Sequence, residues 1–265
     1  MNPDSHREFI IELAELSGEF IRPYYGQSGL QVELKADSSP VTAADRGAEE
    51  LMRKLIKGKF PDHGVIGEEF GSERPDAEFV WVLDPIDGTK SFISGVPLFG
   101  TLIALLHRGQ PVLGCIHQPV LGQLLIGDNT SCSMNGHPVK TRDVGRIEDA
   151  TLLTSDPVAI ASNPAAHAYA ALMGRAKLAR MWGDCYGYYL VATGSADVMY
   201  DPVMNPWDIA ALVPVIRGAG GVITDSAGKA PYPATSIVAA GTAGLHASVI
   251  AALNPGRPTG PARRK

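Results

Sequence analysis

The hydrophobic positions of this 265-residue chain change period along its length, and the changes outline its elements. Phe9, Leu13, Leu16 and Phe20 recur at three- to four-residue spacing, which predicts an amphipathic helix within the first 25 residues. Ser5 and Glu8 stand at capping-box spacing near its start. A second helix is expected from near Thr42, through Ala48, Leu51 and Leu55, to about Lys57. Between the two lies polar, extended chain with a turn. Residues 79–83, Phe-Val-Trp-Val-Leu, form a short apolar run and predict a buried strand. Asp84 should close it, because Pro85 cannot donate to a ladder. Residues 97–127 read as successive strands, with turns at Gly109 and at 119–122. Asn135-Gly136 predicts a primed hairpin turn.

The pattern shifts at 143–150, DVGRIEDA, and a lobe boundary is expected there. This divides the chain into an N-terminal lobe, 1–145, a C-terminal lobe, 146–254, and a Pro-, Gly- and Arg-rich tail, 255–265, expected to be disordered. In the second lobe, GYYLVATGSADVMY reads as a helix broken at Gly194 and followed by a strand. NPWDIAALVPVIRGAGG reads as one helix from near Pro206 to 218–221, with proline at its start and glycine at its end.

Charge narrows the partners. The formal net charge is -5 and the pI about 5.8, which argues against nucleic-acid binding by broad basic charge. No apolar run approaches the roughly 20 residues of a membrane span. The first residues, MNPDSHREF, are polar and unlike a signal peptide. Cys115, Cys132 and Cys185 are scattered, with no Cys-x-x-Cys pair. Buried, reduced thiols and a cytoplasmic location are expected. None of the seven histidines sits in a motif.

The candidate chemistry begins with WVLDPIDGTKSF. Asp84 and Asp87, three residues apart across a turn, can converge on one point, where they would repel unless a hard cation such as Mg²⁺ lay between them. Gly88 and Thr89 would then offer backbone N–H groups to a phosphate. Taken alone, Asp87-Gly88 reads as a plain turn with a solvated aspartate; the whole string, with the acids that recur elsewhere, reverses that reading. Glu68 and Glu69 follow a short apolar step in VIGEEFG. Asp208 falls in the first turn of a helix in PWDIAAL, where an acid is also stabilised by the helix dipole.

Together, GEE, DPIDGT and WDIAA, in this order and at these separations, resemble the signature of the inositol monophosphatase-like family of metal-dependent phosphatases, over roughly residues 33–225. The resemblance implies an α+β fold of layered helices and sheets, an αβαβα sandwich, and a homodimer. It implies two or three Mg²⁺ ions held by Glu68, Asp84, Asp87, Asp208 and the Ile86 carbonyl. It implies a phosphate site at Asp87, Gly88 and Thr89. Catalytic roles then fall to Glu68, Thr89 and Asp45, with the Thr89 hydroxyl helping to orient the attacking water. Asp45 would pair with Thr89 or sit near a third metal; it also lies three residues after Thr42, as a helix cap does, and both readings stay open. Lys35 and Asp37 would belong to a loop that closes over the site.

The metal site does not name the substrate, a small-molecule phosphate ester. WGDCYGY, LVATG and DPVMNPWD resemble the histidinol-phosphate phosphatase branch of the family, as do Lys90, Ser91 and Phe92. QLLIGDNTSCSMNGHPV departs from that branch and should be a peripheral hairpin. Substrate contacts are expected from Gly183, Asp184, Cys185, Asp201 and Asn205. Acids at 184 and 201 suit a cationic amine through charge-assisted hydrogen bonds. Each also has a structural reading: ordering the Arg180–Tyr186 neighbourhood for Asp184, and a turn before Pro202 for Asp201. Hydrolysis of inositol monophosphate, or of a sugar or nucleotide phosphate, is the alternative. A non-catalytic metal- and phosphate-binding regulator is a third reading.

Overall fold

The computed structural model describes residues 3–36 and 39–255. Asp37 and the tail beyond residue 255 lie outside them.

Helix α1 (Pro3–Ile21) begins at a proline, whose fixed φ suits a first turn. Ser5 and Glu8 therefore lie inside the helix and do not bracket its start. A short hairpin follows, β1 (Val32–Leu34) with β2 (Pro40–Thr42). Helix α2 (Ala43–Lys59) starts on a capping box, in which Thr42 Oγ1 accepts from the Ala44 N–H at 3.1 Å and Asp45 Oδ2 accepts from the Thr42 N–H at 2.8 Å.

Next come β3 (Gly64–Gly67), β4 (Gly71–Glu73), β5 (Phe79–Asp87), helix α3 (Thr89–Ile93), β6 (Gly100–His107), β7 (Gln110–Gln118), β8 (Gln123–Gly127), β9 (Cys132–Met134) and β10 (His137–Pro138). Their strands form an eight-stranded sheet in the order β10-β9-β8-β7-β6-β5-β3-β4, antiparallel except where β3 runs parallel to β5. At the β9–β10 turn both Asn135 (φ 48°) and Gly136 (φ 80°) take left-handed backbone, as a primed turn requires.

Strand β5 is longer than its apolar run predicts. It continues through Pro85 to Asp87, and its register with β6 shifts between Asp84 and Asp87. A proline at such a bulge forfeits no ladder bond. The Pro85 carbonyl instead accepts the Thr101 hydroxyl at 2.8 Å.

The rest of the chain alternates β11 (Thr151–Leu153), α4 (Pro157–Ala161), α5 (Ala166–Arg175), β12 (Leu178–Arg180), α6 (Asp184–Ala192), β13 (Val198–Asp201), α7 (Pro206–Ala210), α8 (Leu212–Gly218), β14 (Val222–Thr224), β15 (Ile237–Ala240) and α9 (Ala243–Leu253). The second sheet has the order β12-β11-β13-β15-β14. The single helix expected from Pro206 onward is two, parted at Ala211. Pro214 explains the break, since it lacks the N–H that would bond to residue 210 and its ring would strike that carbonyl.

Five layers result, helix–sheet–helix–sheet–helix. The pleat of β5 sorts its side chains: Trp81 and Leu83 face Phe9, Leu13 and Met52 of α1 and α2, while Val80 and Val82 face the other way. There they join Tyr188, Leu212 and Ile216 of the middle helices, and Met199 and Ala239 of the second sheet, in one core. Tyr169, Leu172, Leu245 and Val249 of α5 and α9 cover the far face. The three cysteines are free thiols, and all are buried. Among the described residues, no helix is long and apolar enough to cross a membrane.

Candidate active site

The site is a cleft of about 670 Å³ where the C-terminal end of β5 meets the N-terminal ends of α6 and α7. The bulge in β5 turns Asp84 and Asp87 toward it. Asp84 Oδ1 accepts the Ile86 N–H at 3.1 Å, so the carboxylate is clamped by its own turn. Gly88 then takes left-handed backbone (φ 91°). A Cβ there would lie 2.9 Å from the Leu98 carbonyl oxygen and 3.0 Å from Asp184 Oδ2, so both conformation and space demand glycine. Thr89 opens α3, and its hydroxyl donates to the Ile86 carbonyl at 3.0 Å.

Asp208 arrives from the first turn of α7, where its Oδ2 accepts the Asn205 N–H at 2.7 Å. Oxygens of Asp84, Asp87 and Asp208 all lie within 4.8 Å of one another. This concentration of like charge in a buried place is costly. Burial, followed by the Glu68, Asp87 and Asp208 carboxylates, pushes Asp84 well above the usual carboxylate range. Burial, then Asp184 and Asp208, does the same to Asp87. Asp208 is pushed up to about 7, chiefly by burial. Such a donor set, hard oxygens facing one another, fits a divalent cation of the Mg²⁺ type.

Glu68 follows β3 and lies against this cluster. The Lys35 ammonium bridges it and Glu69, at 2.7 and 2.5 Å. The turn carrying both acids is fixed from beneath by Glu49, which accepts the Glu69 and Phe70 N–H groups at 2.8 and 3.2 Å. Gly67 makes room for that carboxylate, since a Cβ there would meet Glu49 Oε1 at 2.0 Å.

The second sheet closes the cleft. Asp184 adopts left-handed backbone (φ 51°), and its N–H donates to Ser155 Oγ at 2.7 Å. Burial raises its carboxyl to about 7. The Cys185 N–H donates to Asp87 Oδ2 at 2.5 Å, so the start of α6 anchors a carboxylate of β5. Asp201, 5% exposed, accepts the Ser155 N–H and the Tyr188 hydroxyl, both at 3.0 Å. Lys90 reaches across the mouth to Asp156 at 3.1 Å.

Glu68, Asp84, Ile86, Asp87, Gly88, Thr89, Asp184, Asp201, Asn205 and Asp208 thus all line one cleft. Three expected residues do not. Asp45 is 1% exposed and serves the α2 cap, its Oδ2 also receiving the Thr42 hydroxyl at 2.6 Å; the Thr89 hydroxyl is spent on Ile86 and makes no bond to it. Cys185 buries its thiol and offers the cleft only its backbone, through Asp87. Gly183 packs against Ser155, whose Cα would lie 2.2 Å from a Cβ there. Ser155 is the residue that sequence reasoning missed. The Asp156-Pro157 pair, a helix cap followed by a first-turn proline, was a local signal for α4 just after it.

The model of the inositol monophosphatase family matches residues 2–256. A histidinol-phosphatase of Chlorobaculum parvum is 44% identical over 230 residues, 86% of this chain and 88% of that one. A histidinol-phosphatase of Mycobacterium tuberculosis is 34% identical over 261 residues, 95% of this chain and 100% of that one. Among solved structures, an inositol monophosphatase from Zymomonas mobilis superimposes with a TM-score of 0.86 at 35% identity, covering 96% of this chain and 99% of that one. With its five-layered fold and its carboxylate cluster at the end of β5, this chain belongs to the inositol monophosphatase family and is a phosphomonoesterase.

Proposed function

We propose that the chain is a Mg²⁺-dependent histidinol-phosphate phosphatase, converting L-histidinol phosphate and water to L-histidinol and phosphate in histidine biosynthesis. The observation that carries this reading is the charge of the cleft. Among the described residues, its lining holds seven acids, Glu68, Asp84, Asp87, Asp156, Asp184, Asp201 and Asp208, against one base, Lys90. Four of the seven suffice for metal, so the remainder favour a leaving group that is itself cationic. Both Asp201 oxygens already hold internal donors, which leaves Asp184 as the main discriminating group. The 44% identity to a protein named histidinol-phosphatase supports the same substrate.

In this reading Glu68, Asp84, Asp87, Asp208 and the Ile86 carbonyl would hold two or three Mg²⁺ ions. The ions would neutralise phosphate charge, acidify water and stabilise the leaving alkoxide. The Gly88 and Thr89 N–H groups bind and orient the phosphate. The Thr89 hydroxyl moves from Ile86 to the attacking water, with Glu68 as its acidic partner. Asp45 supports this arrangement at one remove by capping α2. A cytoplasmic homodimer completes the proposal.

Inositol 1-phosphate is the second reading, favoured by the 35% identity to the Zymomonas mobilis inositol monophosphatase. The deciding measurement is phosphate release with Mg²⁺, comparing kcat/KM for L-histidinol phosphate and myo-inositol 1-phosphate. A preference of about a hundredfold for histidinol phosphate, about 2.7 kcal/mol, is expected. Asp184→Asn, which tolerates left-handed backbone, should lose most of that preference. Equal losses on both esters would remove Asp184 from specificity, and a preference for the inositol ester would replace the substrate.

A further inference from the structure

Helix α2 carries a polar stripe on a face that the core covers. Asp45, Glu49 and Arg53 follow one another at four-residue spacing, and Asp45 and Glu49 are 1% and 0% exposed. Asp45 caps the helix. Glu49 pairs with Arg53, whose Nε donates to Oε1 at 2.8 Å. A buried ion pair is a poor source of stability, and apolar side chains of similar size often do better. What the pair grips gives it another purpose. Glu49 Oε2 accepts the Glu69 N–H at 2.8 Å, Oε1 accepts the Phe70 N–H at 3.2 Å, and the Arg53 guanidinium donates to the Gly71 carbonyl. Gly67 lies so close that a Cβ there would meet Glu49 Oε1 at 2.0 Å and Oε2 at 2.7 Å. Two side chains of α2 thus hold the turn at residues 67, 69, 70 and 71.

We propose, resting on the Mg²⁺ reading given above, that Glu49, braced by Arg53, is a positioning residue for the reaction: it aims the Glu68 carboxylate into the cleft and so sets how tightly that carboxylate holds a cation. Of residues 67–71, Glu68 alone lines the cleft. Its own N–H donates to the Leu83 carbonyl at 3.2 Å, immediately before Asp84 on β5. The backbone of Glu68 is therefore fixed to the strand that carries Asp84, and the residues on either side of it are fixed to α2.

Two forces act against that aim. The Asp84 carboxylate repels Glu68, and the Lys35 ammonium draws it away at 2.7 Å. A turn released from Glu49 would yield to both, and Glu68 would have to be ordered anew each time a cation bound. Groups that orient metal ligands at one remove typically change metal affinity by about ten- to a hundredfold when they are lost.

The test titrates Mg²⁺ into the full chain by calorimetry and follows phosphate release from L-histidinol phosphate. Glu49→Ala should weaken Mg²⁺ binding about tenfold and raise by a similar factor the Mg²⁺ concentration that gives half the maximal rate. At saturating Mg²⁺ the KM for the ester should stay within about twofold of native, because the ester's own contacts are intact. Glu49→Gln keeps one acceptor oxygen and should bind Mg²⁺ only about threefold more weakly than the native chain. Glu49→Leu combined with Arg53→Met removes the pair without stranding a charge, and serves where an unpaired Arg53 unfolds the single variant; it should lose as much Mg²⁺ affinity as Glu49→Ala. Val249→Ala, in the core beyond the second sheet, lowers stability without touching the turn and should bind Mg²⁺ as the native chain does. Native Mg²⁺ affinity in the double variant overturns the positioning role. An equal loss in Val249→Ala overturns it too, since the effect would then be one of stability alone. No Mg²⁺ binding by the native chain overturns the metal reading itself, and the role of Glu49 with it.

Discussion

Asp87 carries more of the site than any other residue. It receives the Cys185 N–H, shares the oxygen cluster with Asp84 and Asp208, and stands beside Asp184. Its charge is useful only when a cation is present; without one, it adds to the repulsion that pushes the whole cluster upward. Two opposite effects of Asp87→Asn follow. Turnover of any phosphate ester should fall about a thousandfold, the loss expected when several kcal/mol of metal-derived stabilisation is removed. The metal-free protein should instead become more stable, its thermal midpoint rising by about 2 °C, because a neutral amide still accepts the Cys185 N–H without repelling its neighbours. Calorimetry in EDTA, alongside phosphate release in Mg²⁺, checks both signs. A lower midpoint would mean that the cluster is not repulsive at rest.

At the scale of elements, function depends on how α6 begins. Gly183 precedes it, packed on Ser155, and Asp184 and Cys185 are held in consequence. Gly183→Ala would drive a methyl group to 2.2 Å from the Ser155 Cα, a backbone atom that cannot step aside cheaply. A cost of about 1–3 kcal/mol is expected, with a fall in kcat as Asp87 loses its anchor. Gly174→Ala, in α5 with nothing within 4 Å of the new methyl, is the control; it should be neutral or slightly stabilising. Urea midpoints of the two variants decide the matter, and equal midpoints would show that the α6 start tolerates movement.

For the whole molecule, the contact between layers has a titratable component. His117 of β7 packs beneath α1, where a Cβ on Gly18 would lie 2.5 Å from its ring. Burial pushes the imidazole down to about 4. The unfolded chain takes up that proton near pH 6.5, whereas the native state refuses it until about pH 4. Between those limits native stability must fall as pH falls, by up to about 1.4 kcal/mol per pH unit from this residue. In His117→Leu that part of the slope should vanish. Urea unfolding of both proteins at a series of pH values across the window measures it; identical slopes would mean that His117 is protonated in the fold.

Short-range physics made part of this protein readable before any coordinates. The capping box at Thr42 and Asp45, the hairpin at Asn135-Gly136, and Asp208 in the first turn of its helix are each settled by residues within four positions of one another. The DPIDGT string likewise encodes its own turn, because Gly88 must be left-handed and Asp84 is clamped by Ile86. The split at Pro214 was also local, and could have been read from the clash a proline imposes four residues back. What the tertiary structure alone decided lies at long range. Cys185 meets Asp87 across 98 positions, Ser155 meets Asp201 across 46, and Lys35 spans 33 to reach Glu68. Such contacts depend on which faces of two sheets are buried against the same helices. That is set by packing summed over the whole core, and no local pattern in the chain reports it.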